Sequence, residues 1–101
     1  MSKGYLIFTE AIKDAEAMNG YTAKAMPTLM AAGGRVIIVD GAPEVKEGTW
    51  HGTQTVVLEF DSVDAANAWY NSPAYQESIP LRQAAAECNV AVLSGFDMPG
   101  A

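Results

Sequence analysis

The strongest candidate for a catalytic residue is Glu59, a carboxylate inside an otherwise apolar strand. Side chains alternate along a strand. If Leu58 and Phe60 face covering helices, Glu59 therefore points to the opposite face, where desolvation would raise its pKa as a general base requires. The alternative is a structural ion pair with Arg35 or Arg82, which would lower that pKa. Because structural pairs also occupy such places, the ion pair is the favoured interpretation.

The second catalytic candidate is His51, which lies beside Trp50 in the long polar loop Gly41–Thr53. An imidazole at the mouth of a cavity could shuttle protons near neutral pH. Loops normally run over the surface, so an exposed histidine is the favoured alternative. Trp50 has a structural interpretation of its own, as the residue that pins the loop to the body of the domain.

The remaining candidates would bind a ligand rather than transform it. An arginine can hold a carboxylate in a bidentate way, although the arginine at position 82 could equally lie on a solvated helix face. Aromatic residues can line a pocket for a flat molecule, but at helical spacing they more often belong to the core. Tyr5 and Asp40 lie on predicted strands and could reach the cavity, but the pattern does not assign either side chain to one face of the sheet. The predicted ligand-binding set is Arg35, Arg82, Tyr5, Asp40, Trp69 and Tyr75.

Composition excludes several classes of function. The net charge of -6 argues against nucleic acid and against an anionic membrane surface. No apolar run approaches the ~20 residues of a membrane span. With one cysteine, Cys88, and one histidine, a chain cannot build a thiolate–imidazole metal cluster or an internal disulfide. We therefore expect a cytoplasmic protein without a metal or a cofactor.

The elements that would position these residues follow from hydrophobic patterning. Residues 1–97 are expected to form one domain, and residues 98–101 a loose tail. Within the unit 55–75, Asp61 or Ser62 caps a helix that follows the buried strand. The other predicted elements are strands at Gly4–Thr9, Arg35–Asp40 and Asn89–Phe96, a helix at Asp14–Ala32, and two short helical pieces within Tyr75–Glu87.

The resulting order, β-α-β-β-α-β, is the ferredoxin-like α+β arrangement, in which two helices cover one face of a four-stranded antiparallel sheet. The strands are apolar on both sides, and too few helices are available to cover both faces. An uncovered apolar face of this kind indicates an association surface. The simplest arrangement is a homodimer in which two sheets face each other.

Several short segments together resemble a bacterial family called domain of unknown function 1330. They are GGR at Gly33–Arg35, GAPEV at Gly41–Val45, EF at Glu59-Phe60, AWYNSPAYQ at Ala68–Gln76 and LRQAAAE at Leu81–Glu87. The resemblance implies a dimeric α/β barrel made of two ferredoxin-like subunits. The wider superfamily includes cofactor-free monooxygenases, haem-handling proteins, isomerases, lactone-forming enzymes and ligand-binding regulators.

The leading hypothesis is a homodimeric protein that binds a small organic molecule with an anionic or carbonyl group. Its cavity would lie between helices and sheet or between the two sheets. If the protein is an enzyme, the expected reaction is cofactor-free proton transfer, as in an isomerase or a monooxygenase. The alternatives are a non-catalytic ligand-binding or sensing module and a purely structural dimer.

Overall fold

The fold is a single antiparallel sheet of four strands with helices packed on one face. The computed structural model describes residues 2–100. The elements are β1 (Gly4–Ile12), α1 (Ala15–Ala31), β2 (Arg35–Asp40), β3 (Gln54–Phe60), α2 (Val63–Tyr70), α3 (Pro73–Gln76), α4 (Ile79–Ala85) and β4 (Ala86–Ser94). The strand order is β2-β3-β1-β4. This confirms the predicted ferredoxin-like α+β class.

Strand β1 fixes which side chains face the helices. Leu6, Phe8 and Glu10 are buried on the helix side, whereas Tyr5 and Ile7 alternate with them toward the other face. The sequence predicts that this strand ends at Thr9, but it continues to Ile12. The longer strand brings the carboxyl group of Glu10 into the layer between sheet and helices.

The segment after β3 follows the prediction closely. The hydroxyl Oγ of Ser62 accepts a hydrogen bond from the backbone N–H of Ala65 at 3.0 Å, so Ser62 is the N-cap of α2. Helix α2 ends at Tyr70, shortly before Pro73 begins α3. The helix delivers Trp69 to the core, where its ring lies 5.6 Å from the ring of Phe60.

The two short helical pieces predicted near the end of the chain are present as α3 and α4, although α3 begins earlier, at Pro73, and the limits of the last strand differ from the prediction. Pro80 lies in the first turn of α4, where its missing N–H removes no intrahelical hydrogen bond. Strand β4 begins at Ala86, inside the segment predicted to be helical, because Ala86 pairs with the extended end of β1. The strand ends at Ser94, and Phe96 lies beyond it with 77% of its surface exposed.

The face of the sheet opposite the helices is called the open face here. It carries Tyr5, Ile7, Ile38, Val57, Glu59 and Leu93, as the strand registers require. Strand β2 forms one edge of the sheet and is exposed along its whole length, with a register shift between Val36 and Ile38. None of the helices within residues 2–100 has the length and apolar character to cross a membrane. The predicted tail 98–101 ends at Ala101, which lies outside the described residues.

Candidate functional site

A cavity of about 170 Å³ lies between α1 and the sheet, toward strand β2, and is called the helix-side cavity here. Its walls are mainly apolar and include Phe8, Met18, Ala25, Leu29, Val56 and Trp69. Its polar lining consists of Glu10, Tyr21, Thr22 and Gln54. No lysine, arginine or histidine of the described chain lines it. The cavity therefore offers apolar contact and one carboxyl group to a ligand.

The carboxyl group of Glu10 is the chemical centre of this cavity. The residue is only 3% exposed, and its Oε1 accepts a hydrogen bond from Nε2 of Gln54 at 2.9 Å. Within residues 2–100, no second side chain donates to this carboxyl. Burial raises the pKa of Glu10, and the hydrogen bond from Gln54 and the charge of Arg82 only partly oppose that rise. Such a carboxyl can exchange a proton closer to neutral pH than an ordinary glutamate.

The backbone of residue 10 is held by the end of the long loop. Its carbonyl accepts a hydrogen bond from the N–H of Thr53 at 2.8 Å. The preceding Gly52 has a positive φ of 82°, and a Cβ there would lie 2.5 Å from the carbonyl carbon of Glu10. Glycine is required at this position both by its conformation and by the close approach of the strand. The loop thus fixes the position of the carboxyl-bearing residue.

A pair of hydrogen-bonded tyrosines lies at the cavity, with one member in its lining. The hydroxyl groups of Tyr21 and Tyr75 are 2.8 Å apart, and the two rings meet edge to face at 75°. Tyr21 lines the cavity, whereas Tyr75 is fully buried behind it. Burial raises the pKa of both phenols, so both are neutral at physiological pH and can donate hydrogen bonds.

Arg82 is buried. The alternative that placed it on a solvated helix face is therefore wrong. The residue is 4% exposed, and its guanidinium carbon lies 5.6 Å from the ring centre of Phe8 and 6.0 Å from that of Tyr21. Within residues 2–100 it forms no salt bridge, and its Nε atom has no hydrogen-bond partner. It is therefore a buried cation without a contacting carboxylate, which is an uncommon and costly arrangement.

Glu59 lies on the open face, on the side that strand alternation predicts. Its carboxylate accepts from Nε of Arg35 at 3.0 Å and from the hydroxyl of Tyr5 at 3.2 Å. Arg35 also reaches Asp61, at 3.4 Å. The hydrogen bond from Arg35 lowers the pKa of Glu59, more than desolvation raises it. This geometry matches the structural ion pair, and a carboxylate with a lowered pKa is a weaker base.

His51 and Trp50 attach the long loop to the same open face. Nδ1 of His51 lies 2.8 Å from Oγ1 of Thr9, and Trp50 donates from Nε1 to Oγ1 of Thr55 at 2.9 Å. The predicted pinning role of Trp50 matches this contact. Thr9 and Tyr5 are four residues apart on β1, so His51 and Glu59 contact the strand about 13 Å apart along its length. The two predicted catalytic residues therefore do not form one site.

The predicted residues thus divide between the two faces of the sheet. Trp69 lines the helix-side cavity, while Asp40 is exposed at the end of β2 and accepts from the N–H of Ala42 at 2.9 Å. Glu10, Tyr21 and Gln54 were missed by reasoning from the sequence. The alternation that buries Leu6 and Phe8 would have identified residue 10 if the strand had been extended beyond Thr9. Within residues 2–100, no three potential metal ligands cluster together.

Comparison with known proteins agrees with this architecture. A four-stranded antiparallel sheet with helices on one face defines a ferredoxin-like α+β protein. The model of the family described as Domain of unknown function (DUF1330) matches residues 3–96, and the chain belongs to this family. A search of the curated proteins found no match.

Three solved structures illustrate the similarity. RPA0582, a protein of unknown function from Rhodopseudomonas palustris, is 20% identical with a TM-score of 0.78, covering 96% of this chain and 85% of that one. A dimeric ferredoxin-like protein of unknown function from Jannaschia sp. CCS1 is 16% identical with a TM-score of 0.60, covering 90% and 97%. SnoaB, a cofactor-independent oxygenase from Streptomyces nogalater, is 9% identical with a TM-score of 0.63, covering 99% and 97%. At these identities the likeness is one of fold.

Proposed function

We propose that this protein is a homodimer in which each subunit binds one small, uncharged organic molecule in the helix-side cavity. The observation that carries the proposal is a mainly apolar cavity with one buried carboxyl group, that of Glu10, in its lining. Its volume of 170 Å³ is close to the ~150 Å³ of an engineered cavity that admits benzene, and below the ~300 Å³ at which drug-sized sites begin. The expected ligand is the size of a single ring.

The charge of the lining supports an uncharged ligand. An anion in this cavity would meet the carboxyl of Glu10 and no contacting cation, since Arg82 lies behind Phe8 and Tyr21 rather than in the lining. A carbonyl or hydroxyl group can instead form hydrogen bonds with the carboxyl, phenol and amide groups of the lining. Of the two ligand groups that the sequence suggests, the carbonyl is therefore preferred to the anion.

The homodimer is supported by the open face. Ile7 and Val57 are paired across neighbouring strands there, and Ile38 extends the apolar area toward the edge of the sheet. The similar Jannaschia protein is itself dimeric. Two copies of this chain with their open faces together would form the α/β barrel that the family resemblance implies, and each helix-side cavity would remain accessible on the outside.

The test is a titration with two molecules of similar size, cyclohexanone and benzoate, followed by amide chemical shifts in NMR spectra. Cyclohexanone is expected to shift the amides of residues around the cavity, such as Glu10 and Ala25, in a saturable way. Benzoate is expected not to shift them. Saturable binding of benzoate alone, or shifts confined to the open face around Glu59, would overturn the proposal. A purely structural dimer would bind neither molecule.

A second candidate function is cofactor-free catalysis rather than binding alone. It is favoured by the raised pKa of the Glu10 carboxyl within an apolar cavity, an environment that suits proton transfer. SnoaB, which shares the fold, is described as a cofactor-independent oxygenase. A non-catalytic sensing module would use the same cavity, so measurement of turnover is needed to separate the two.

A further inference from the structure

We propose that the helix-side cavity is an enolising site, in which Glu10 removes a proton from the carbon beside a ligand's carbonyl group. In the same step the Tyr21 hydroxyl donates a hydrogen bond to the carbonyl oxygen. The inference rests on the proposed function, since it names the ligand class of the same cavity as small neutral carbonyl compounds. It adds a reaction and assigns a role to each polar group.

The placement of Glu10 suits a general base. Gln54 holds one carboxylate oxygen at 2.9 Å, which fixes the orientation of the group and leaves the second oxygen for a ligand. Glu10 is only 3% exposed, so few water molecules compete for that oxygen. The raised pKa of the carboxyl brings its proton affinity closer to that needed to accept a proton from carbon.

The tyrosine pair suits the opposite role. If the hydroxyl of Tyr75 donates to that of Tyr21, the O–H of Tyr21 is free to donate to a ligand. A donor aimed at the oxygen where charge develops stabilises the transition state more than the ground state. Because Tyr21 is held by the buried Tyr75, its hydroxyl needs little reorganisation when the ligand reacts.

Arg82 gives the strongest reason to expect negative charge at this place. It is a buried cation that contacts no carboxylate in the described chain, yet it lies against the ring of Tyr21. Its field lowers the pKa of Glu10, so it already acts on the base. A negative charge that moves from Glu10 to an enolate oxygen near Tyr21 would remain within this field throughout. Arg82 is thus a positioning residue that acts through the two tyrosines and does not touch the ligand.

The step balances without an added reagent. The C–H bond beside the carbonyl breaks, and its proton moves to the Glu10 carboxylate. The electron pair forms a carbon–carbon double bond, and the carbonyl π electrons move to oxygen to give the enolate. In D₂O the protonated carboxyl of Glu10 exchanges its proton for a solvent deuteron, and transfer of that deuteron to the same carbon gives isotope exchange. Transfer of the proton or deuteron to a conjugated carbon gives isomerisation. No oxidant, metal or cofactor is consumed.

The test is the exchange of the α-hydrogens of cyclohexanone for deuterium in D₂O, followed by proton NMR with full-length protein. The wild-type protein is expected to accelerate exchange over buffer. Glu10→Gln should bring the rate down by about 10²-fold or more, to the buffer rate, as expected for loss of a general base. Tyr21→Phe should reduce the catalysed rate by about 10²-fold. Glu16→Gln, an exposed change of the same type on α1, should leave the rate unchanged.

Binding measured on the same samples separates this inference from the proposed function. Saturable cyclohexanone binding without accelerated exchange would overturn the enolising role and leave the binding function standing. Absence of binding would overturn both. Exchange that survives Glu10→Gln but is lost in Glu59→Gln would move the chemistry to the open face. Glu10→Gln could also lower stability. The amide spectrum and the cyclohexanone binding of this variant give its folded fraction, and the exchange rate is then expressed per folded molecule.

Discussion

Filling the helix-side cavity should stabilise the protein and weaken ligand binding at least tenfold. Ala25 lies on the inner side of α1, is buried, and lines the cavity. Ala25→Leu adds three carbon groups, fewer than the six of benzene, which a cavity of ~150 Å³ admits. At ~0.8 kcal/mol per buried group, complete burial would contribute about 2 kcal/mol. Because the cavity is partly open, we expect a gain of about 1 kcal/mol in the free energy of unfolding.

The assay is urea unfolding of Ala25→Leu beside Ala23→Leu, a matched change at an exposed position of the same helix. Alanine and leucine have similar helix propensities, so the exposed control should change stability by only a few tenths of a kcal/mol. Cyclohexanone binding should weaken at least tenfold in Ala25→Leu and remain in the control. A loss of about 1–3 kcal/mol in Ala25→Leu would indicate overpacking, and would refute the claim that free space reaches this residue.

Four further predictions concern the proposed dimer, the two carboxyl groups and the core. Ile38→Glu places a charge on the open face and should convert the dimer to a monomer in sedimentation analysis; an unchanged dimer would place the interface elsewhere. Glu10 has a folded pKa above its ordinary value of 4.5, so the wild type should lose stability relative to Glu10→Gln as pH rises from about 4.5 through the raised pKa. Glu59 has a lowered pKa, so its advantage over Glu59→Gln should be present above the ordinary pKa and disappear as pH falls through the folded one. Urea unfolding from pH 3 to 8 measures the stability difference between the wild type and each variant. The two differences should change with pH in the directions given, and differences that do not change with pH would contradict the predictions. Thr28→Val removes the acceptor 3.0 Å from Nε1 of Trp69 and should cost about 1–3 kcal/mol in urea unfolding; a neutral change would mean that water replaces the hydroxyl.

Much of the fold was predictable because local patterns carry it. The limits of β2 follow from its apolar run, and the cap at Ser62 follows from the side-chain oxygen that precedes α2. The start of β4 was missed because Ala86 belongs to an alanine-rich segment with helical propensity. Pairing with the extended end of β1 overrides that propensity there.

The site was less predictable because it depends on contacts between elements distant in sequence. The face occupied by Glu59 followed from alternation, but its contact with Arg35 requires the register of β2 against β3. The burial of Arg82 could not be predicted, because α4 mixes apolar and polar residues and its sequence does not show which side faces the core. Glu10 carries a visible signal, its spacing from Phe8, but no rule based on one strand reveals that Gln54 lies opposite it.

The two carboxylates on the central strands have opposite environments, and this difference bears on which of them could do chemistry. Glu59 is paired with Arg35, which holds its charge and lowers its proton affinity. Glu10 has an amide donor and a buried cation at longer range, which leaves its pKa raised. A proton-transfer site needs a carboxyl whose charge is costly and can be relieved by a ligand, whereas a fully paired carboxylate gains little from accepting a proton. The Arg35–Glu59 pair on the open face therefore suits a structural role in joining β2 to β3, whereas the carboxyl of Glu10 suits the proposed proton transfer.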